Sequence, residues 1–239
     1  MQPFQTKLSK NFDNFLTFFE EGDVDYHIGV LTTSVGEVPA GGGCNQATIN
    51  RIPEAGELVN DQFITPDSPD AAATFSTLVN VGTCGSGTEM GLESANRALH
   101  GGLDADFLRP DAFLSIIFVS DEEDGSPLPV NDYINDFREV KGARDTDSFN
   151  ASALVATDVS LCNPRTFVGT EGTRYVDVAK QTGGILGSIC EDDFESVVTE
   201  LSLTSSRLSD RFYLTEFPAV DSLVVIIDDE VVSCADGGW

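Results

Sequence analysis

Ser115-Ile116-Ile117-Phe118-Val119-Ser120-Asp121-Glu122-Glu123-Asp124 runs from a β-branched apolar stretch straight into four acids. The apolar half reads as a buried strand of a parallel sheet, and open α/β sheets place their ligands at the carboxyl ends of such strands. A carboxylate cluster at that position points to a cation.

On the amino-terminal side, Phe4, Leu8, Phe12, Phe15, Leu16 and Phe19 recur at spacings of three and four, which predicts one amphipathic helix ending near Gly22. Tyr26 to Thr33 predicts a strand, and the Gly-, Pro- and Asp-rich region from Gly36 to Pro69 predicts a long surface loop. A helix is expected after Gly87-Thr88-Glu89, with Met90, Leu92, Ala95, Ala98 and Leu99 as its apolar stripe. Beyond the acidic strand the pattern gives a helix over Val130 to Val140 and a strand over Phe149 to Ala156. Two more helices follow, from Arg174 to Thr182, closed by Gly183-Gly184, and from Asp193 to near Leu208. Helices alternating with apolar strands predict an α/β fold built on a doubly wound, mostly parallel sheet. Asp221 to Asp229, after Pro218, predicts a strand with no helix behind it, which divides the chain into residues 1–217 and the start of a β-rich unit over 218–239.

Forty acids against 13 bases give a formal charge of -27, so phosphate backbones and anionic membrane surfaces repel most of the molecule and nucleic acid is excluded as a natural partner. No apolar stretch approaches the roughly 18 residues of a membrane span. Enzyme signatures are missing: there is no phosphate-binding G-x-x-x-x-G-K-[ST], no G-x-S-x-G elbow and no H-E-x-x-H, and the two histidines, His27 and His100, sit in a strand and at a helix end where structural roles suffice. The run Gly82 to Gly87 has the glycines of a phosphate cradle without its lysine.

Four segments in order resemble the von Willebrand factor type A domain family. They are Ile28-Gly29-Val30-Leu31-Thr32-Thr33, Gly87-Thr88-Glu89-Met90-Gly91-Leu92, Phe118-Val119-Ser120-Asp121 and Val178-Ala179-Lys180-Gln181-Thr182-Gly183-Gly184. Ser120 to Asp124, Arg174-Tyr175 and Ser188-Ile189-Cys190 are similar to bacterial, envelope-associated members. The resemblance implies a magnesium or calcium ion at the top of the sheet, held by an Asp-x-Ser-x-Ser loop after the first strand, a threonine and an aspartate. Thr88 matches the threonine and Asp121 the aspartate, while Glu122, Glu123 and Asp124 have the clustered carboxylates of a further, calcium-type site. No Asp-x-Ser-x-Ser occurs in the chain, and Met1 matches the methionine that follows that loop in the family. The expectation is therefore that the first strand, part of the metal site and any signal peptide lie upstream, with Leu223 to Asp229 as a permuted alternative for that strand.

The five cysteines, Cys44, Cys84, Cys162, Cys190 and Cys234, show no Cys-x-x-Cys spacing and sit in loop-like sequence, which favours disulfides and an oxidising compartment. By loop placement the nearest pairs are Cys162 with Cys190 and Cys44 with Cys84, although connectivity does not follow from sequence alone. The combined reading is a monomeric, non-enzymatic module, extracellular or in the cell envelope. It binds a protein or glycan partner through a cation that an acidic group of the partner completes. A scaffolding protein without a working metal site is the alternative, and a metal-dependent hydrolase using Asp121 to Asp124 lacks a placed general base.

Overall fold

The computed structural model describes residues 1–35, 43–44, 55–83, 85–103, 106–142, 148–163, 168–206, 225–227 and 230–232. Its centre is a three-stranded parallel sheet in the order β5 (Leu114–Val119), β6 (Phe149–Val155), β7 (Leu186–Ser188). Leu114 lies opposite Phe149 and Val119 opposite Leu154. β6 is buried along its whole length, and alternation sends its side chains to two covered faces.

On one face Phe118, Ala151, Ala153 and Val155 pack against α4 (Gly91–Arg97), α5 (Val130–Val140) and α6 (Thr173–Thr182) through Leu92, Tyr133, Phe137, Tyr175 and Val178. On the other, Leu154 and the partly buried Ile117 and Val119 meet Phe4 of α1 (Gln2–Lys10) together with Val198 and Leu201 of α7 (Glu195–Ser206). The sheet is thus flanked by helices, a mixed α/β arrangement compatible with a Rossmann-like fold. α6 stops where the sequence expects, because Gly183 takes the left-handed conformation, φ 71°, that only glycine adopts without strain. No helix among the described residues is long and apolar enough to cross a membrane.

A second apolar cluster gathers α2 (Phe12–Glu21), α3 (Ala71–Val79), β1 (Ile28–Gly29) and β3 (Phe63–Ile64) around Phe12, Leu16, Phe19, Ile64, Phe75 and Leu78. Phe12 and Phe75 stack with ring centroids 3.9 Å apart.

Several sequence expectations are corrected. The single helix up to Gly22 is two helices, because the chain leaves helical geometry at Asn11 (φ -105°, ψ 11°), whose side chain donates to the Lys7 carbonyl in place of a continuing ladder. Among the described residues, the strand over Tyr26 to Thr33 pairs only at Ile28–Gly29, antiparallel to β3. The long loop holds β3. Just past its end lies α3, which periodicity overlooked, although Asp70 caps it by accepting from the Ala73 amide. β7 was also overlooked, being only three residues long.

β2 (Gly43–Cys44) pairs antiparallel with β4 (Gly82–Thr83), Cys44 opposite Gly82. Cys84 and the Cys44 side chain, and so the expected Cys44–Cys84 pairing, lie outside the described residues, as does Cys234. Cys162 and Cys190 are bonded to each other, with Cα atoms 4.6 Å apart.

The chain divides into two units, Met1–Leu208 and Ser209–Trp239. In the second, β8 (Val225–Ile227) and β9 (Glu230–Val232) form an antiparallel hairpin, Ile227 opposite Glu230.

Candidate cation site

The loop after β5 turns immediately. The Ser120 hydroxyl donates to the Glu122 carbonyl at 2.9 Å and accepts from the Glu122 amide at 3.2 Å, and the Asp121 carbonyl accepts from the Gly169 and Thr170 amides. Local side-chain bonding of this kind holds a turn where the strand's ladder ends.

The four acids then take different positions. Asp121 is 5 % exposed, and its Oδ2 accepts from the Met1 ammonium at 2.5 Å. A buried carboxylate requires a partner charge, and here the chain's own amino group supplies it. Glu122 lies against Gly169, where a Cβ would fall 2.7 Å from its Cγ. The Glu123 carboxylate accepts from the Thr173 and Arg174 amides and the Thr173 hydroxyl, covering the amino end of α6, whose own N-cap position, Gly172, has no side chain to do so.

Asp124 is wholly enclosed. Its Oδ1 accepts from the Leu92 amide at 3.1 Å and the Ser126 hydroxyl at 2.8 Å, and its Oδ2 accepts from the Ser126 amide at 3.2 Å and Arg174 Nε at 2.9 Å. Ser126 Oγ in turn accepts from the Glu93 amide, and the Tyr175 hydroxyl accepts from the Gly91 amide. Three successive amides at the start of α4 are therefore satisfied from outside the helix. Burial, with the Asp124 charge next in weight, pushes the Tyr175 phenol well above its ordinary range, so it stays a neutral hydroxyl.

Thr88 is exposed, on a loop pinned to the acidic loop by the Gly125 amide, which donates to the Glu89 carbonyl at 2.6 Å. A Cβ on Gly125 would sit 2.5 Å from Thr88 Cγ2, so the two loops touch. Glu89 accepts from the Thr33 hydroxyl. Its carboxyl is raised above the usual range, first by burial and further by the Asp121 and Glu122 charges, while the Thr33 bond and the Met1 ammonium pull it down. Glu89, Asp121, Glu122 and the Met1 nitrogen therefore share one electrostatic neighbourhood.

Of the residues read from sequence, Asp121 and Glu122 follow the carboxyl end of β5, Thr88 lies against Gly125 of the same loop, and Asp124 faces inward to tie loops and helices. Glu89 and Thr33 were overlooked, although Glu89 directly follows Thr88 in the segment that carries the resemblance. His27 and His100 each place Nδ1 3.0 Å from a backbone carbonyl, of Phe107 and Asn96 respectively.

The donors fit a hard cation in part. They are oxygens, and the innermost one already carries a positive partner. Yet among the described residues no three His, Cys, Asp or Glu side chains converge as a ready-made metal shell. No protein-family model, curated protein or solved structure matches the chain.

Proposed function

We propose that the chain is a cation-dependent binding module of the von Willebrand factor A kind, working in an oxidising, extracellular or envelope setting as a monomeric domain, on a protein or glycan partner that carries an acidic group. The observation that carries this reading is the Asp121 carboxylate, buried at the carboxyl end of β5 with Glu89 and Glu122 in the same field. A bound magnesium or calcium ion would supply open coordination positions at which the partner's carboxylate could replace water.

The chain's own residues divide the work. Asp121 is the anchoring oxygen donor, and Thr88 is the hydroxyl donor on the loop packed against it. Glu122 and Glu89 set a negative field that draws a cation in. Glu123 and Asp124 hold the loop in place through α6 and α4. The Cys162–Cys190 bond favours the oxidising compartment.

Calorimetric titration of magnesium and of calcium into protein acetylated at Met1, so that the ammonium no longer occupies Asp121, tests the reading. Saturable binding that weakens about tenfold or more in Asp121→Ala supports it. Equal heats from the two proteins would overturn it. The second reading, a scaffold without a working metal site, is favoured by Glu123 and Asp124, whose carboxylates are taken up by backbone amides and Arg174. It gains if acetylation releases no cation binding.

A further inference from the structure

The connection from β6 to α6 contains one turn of 3-10 helix, Val159–Leu161, that buries none of its residues. Its bonds stay inside the turn: the Asp158 carboxylate accepts from the Ser160 amide and hydroxyl, and the Leu161 and Cys162 amides donate to the Asp158 and Val159 carbonyls. An exposed turn bonded to itself opens readily unless it is fastened elsewhere. The covalent fastening is the bond from Cys162 to Cys190. Cys190 is well seated, since the Ile189 amide donates to the Val155 carbonyl at 3.1 Å, the Cys190 amide to Ser188 Oγ at 3.2 Å, and Lys7 to the Glu191 carbonyl.

Further along, the same connection reaches the acidic loop. Val168 packs on the apolar cluster that also receives Cys162 and Cys190. The Gly169 and Thr170 amides donate to the Asp121 carbonyl at 2.8 and 3.4 Å, and the Thr170 hydroxyl accepts from the Glu123 amide at 2.7 Å. With the Glu122 side chain lying on Gly169, residues 168–170 are the outer support of Asp121, Glu122 and Glu123. Gly172, whose amide donates to the Ala156 carbonyl, ties that support back to the end of β6.

We propose that the Cys162–Cys190 bond is a redox latch on the acidic loop: closed, it seats residues 168–170 against Asp121 to Glu123, and opened by a dithiol it lets them leave. In the opening step a thiolate of the dithiol attacks one sulfur, the protein's sulfur–sulfur bond breaks to a mixed disulfide, and the reagent's second thiol displaces the protein. Cys162 and Cys190 together gain two electrons and two protons, and the reagent departs as its own disulfide. Both cysteines are half-buried, and the exposed Asp158, Glu191, Asp192 and Asp193 lie close to them in sequence, so an anionic thiol is the poorer reagent and an uncharged dithiol the better one. The size of the effect follows from the tether. Closed, the chain leading to Gly169 is fastened at Cys162; open, it is fastened at Ala156, about twice as far back. Doubling a flexible tether shifts its closure about threefold. The latch acts on the loop itself, and only a consequent change in cation affinity rests on the proposed function.

The test follows amide hydrogen exchange in the whole chain, oxidised and after reduction with dithiothreitol, at urea concentrations below the unfolding transition. The Gly169, Thr170 and Glu123 amides are expected to exchange about threefold faster on reduction, at a rate urea does not alter, which marks local opening. Ala153, whose amide donates to the Ile185 carbonyl between β6 and β7, reports unfolding of the whole unit, and its exchange rises with urea. Reoxidation should restore the slow rates. Loop amides that speed up only in step with Ala153, or that do not respond, would overturn the latch and leave the bond a plain stabiliser. Loss of the native circular dichroism spectrum on reduction would overturn it as well, because a bond the fold cannot do without is no switch. Magnesium and calcium titrations of both forms keep the two readings apart: loop amides that respond to reduction in a protein that binds neither ion leave the latch standing and remove only the cation.

Discussion

Asp124→Ala separates the acid that builds the loop from the acid assigned to the cation. The substitution removes an acceptor of four hydrogen bonds, one from Arg174, inside a region with no side-chain exposure at Asp124. Breaking a buried charge pair costs about 3 to 5 kcal/mol and orphaning a buried amide such as that of Leu92 about 1 to 3, but these do not add. Arg174 is 26 % exposed and recovers part of its loss from water, which brings the expected cost to about 3 to 4 kcal/mol. With a urea dependence near 2 kcal/mol/M, the midpoint falls by roughly 1.5 to 2 M. Far-ultraviolet circular dichroism is the appropriate readout, because it follows the helices α4 and α6 that Asp124 ties together. Asp121→Ala leaves only the partly exposed Met1 ammonium without a partner and is expected to cost about 1 kcal/mol. If Asp121→Ala proves the more damaging of the two, or Asp124→Ala costs under about 1 kcal/mol, the division of roles is wrong.

Replacing Cys162 and Cys190 by serine frees a loop with a sequence separation of 28. Loop entropy puts the loss at about 3.5 kcal/mol, a drop in Tm of about 10 °C by calorimetry that reduction of the native protein should reproduce. Glu89 has a folded-state pKa above its unfolded one, so its contribution is most favourable below the unfolded value and is lost as pH rises through the folded one. In chelator, Glu89→Gln should therefore gain on the native protein as pH rises from about 4 to 7, and a gain that grows toward acid would refute the sign. At Gly184 a Cβ would fall 1.9 Å from the Ala151 carbonyl oxygen, so Gly184→Ala must part α6 from β6 and should cost about 1 to 3 kcal/mol in urea unfolding.

The parts of the fold legible in sequence are those whose burial repeats at a fixed period. β5 is apolar apart from Ser115, β6 alternates Phe149, Ala151 and Ala153 with Asn150 and Ser152 before Leu154-Val155, and α5 and α6 show clear stripes, so their bounds come out within a residue or two. α3 escaped because Ala71-Ala72-Ala73-Thr74 has no polar face to set its stripe against. The break at Asn11 escaped because Leu8 and Phe12 keep helical spacing across it. At the site, Asp121 was legible as an acid ending a buried strand. Asp124 looked the same in sequence; only the convergence of Leu92, Ser126 and Arg174 from distant positions separates them. The Met1 contact joins residues 120 positions apart, which no local pattern encodes.

The amino ends of α4 and α6 have a shared dependence on the acidic loop, since their first amides are bonded to Asp124, Ser126 and Glu123 and not to residues of their own helices. Neither helix can fray from its start independently. Opening the loop strips both at once, and because Tyr175 in α6 holds the Gly91 amide of α4, loss of either helix weakens the other. That reciprocity makes the loop, the two helices and the end of β5 one cooperative block, so that heat or denaturant should remove them in a single step and not as separate pieces.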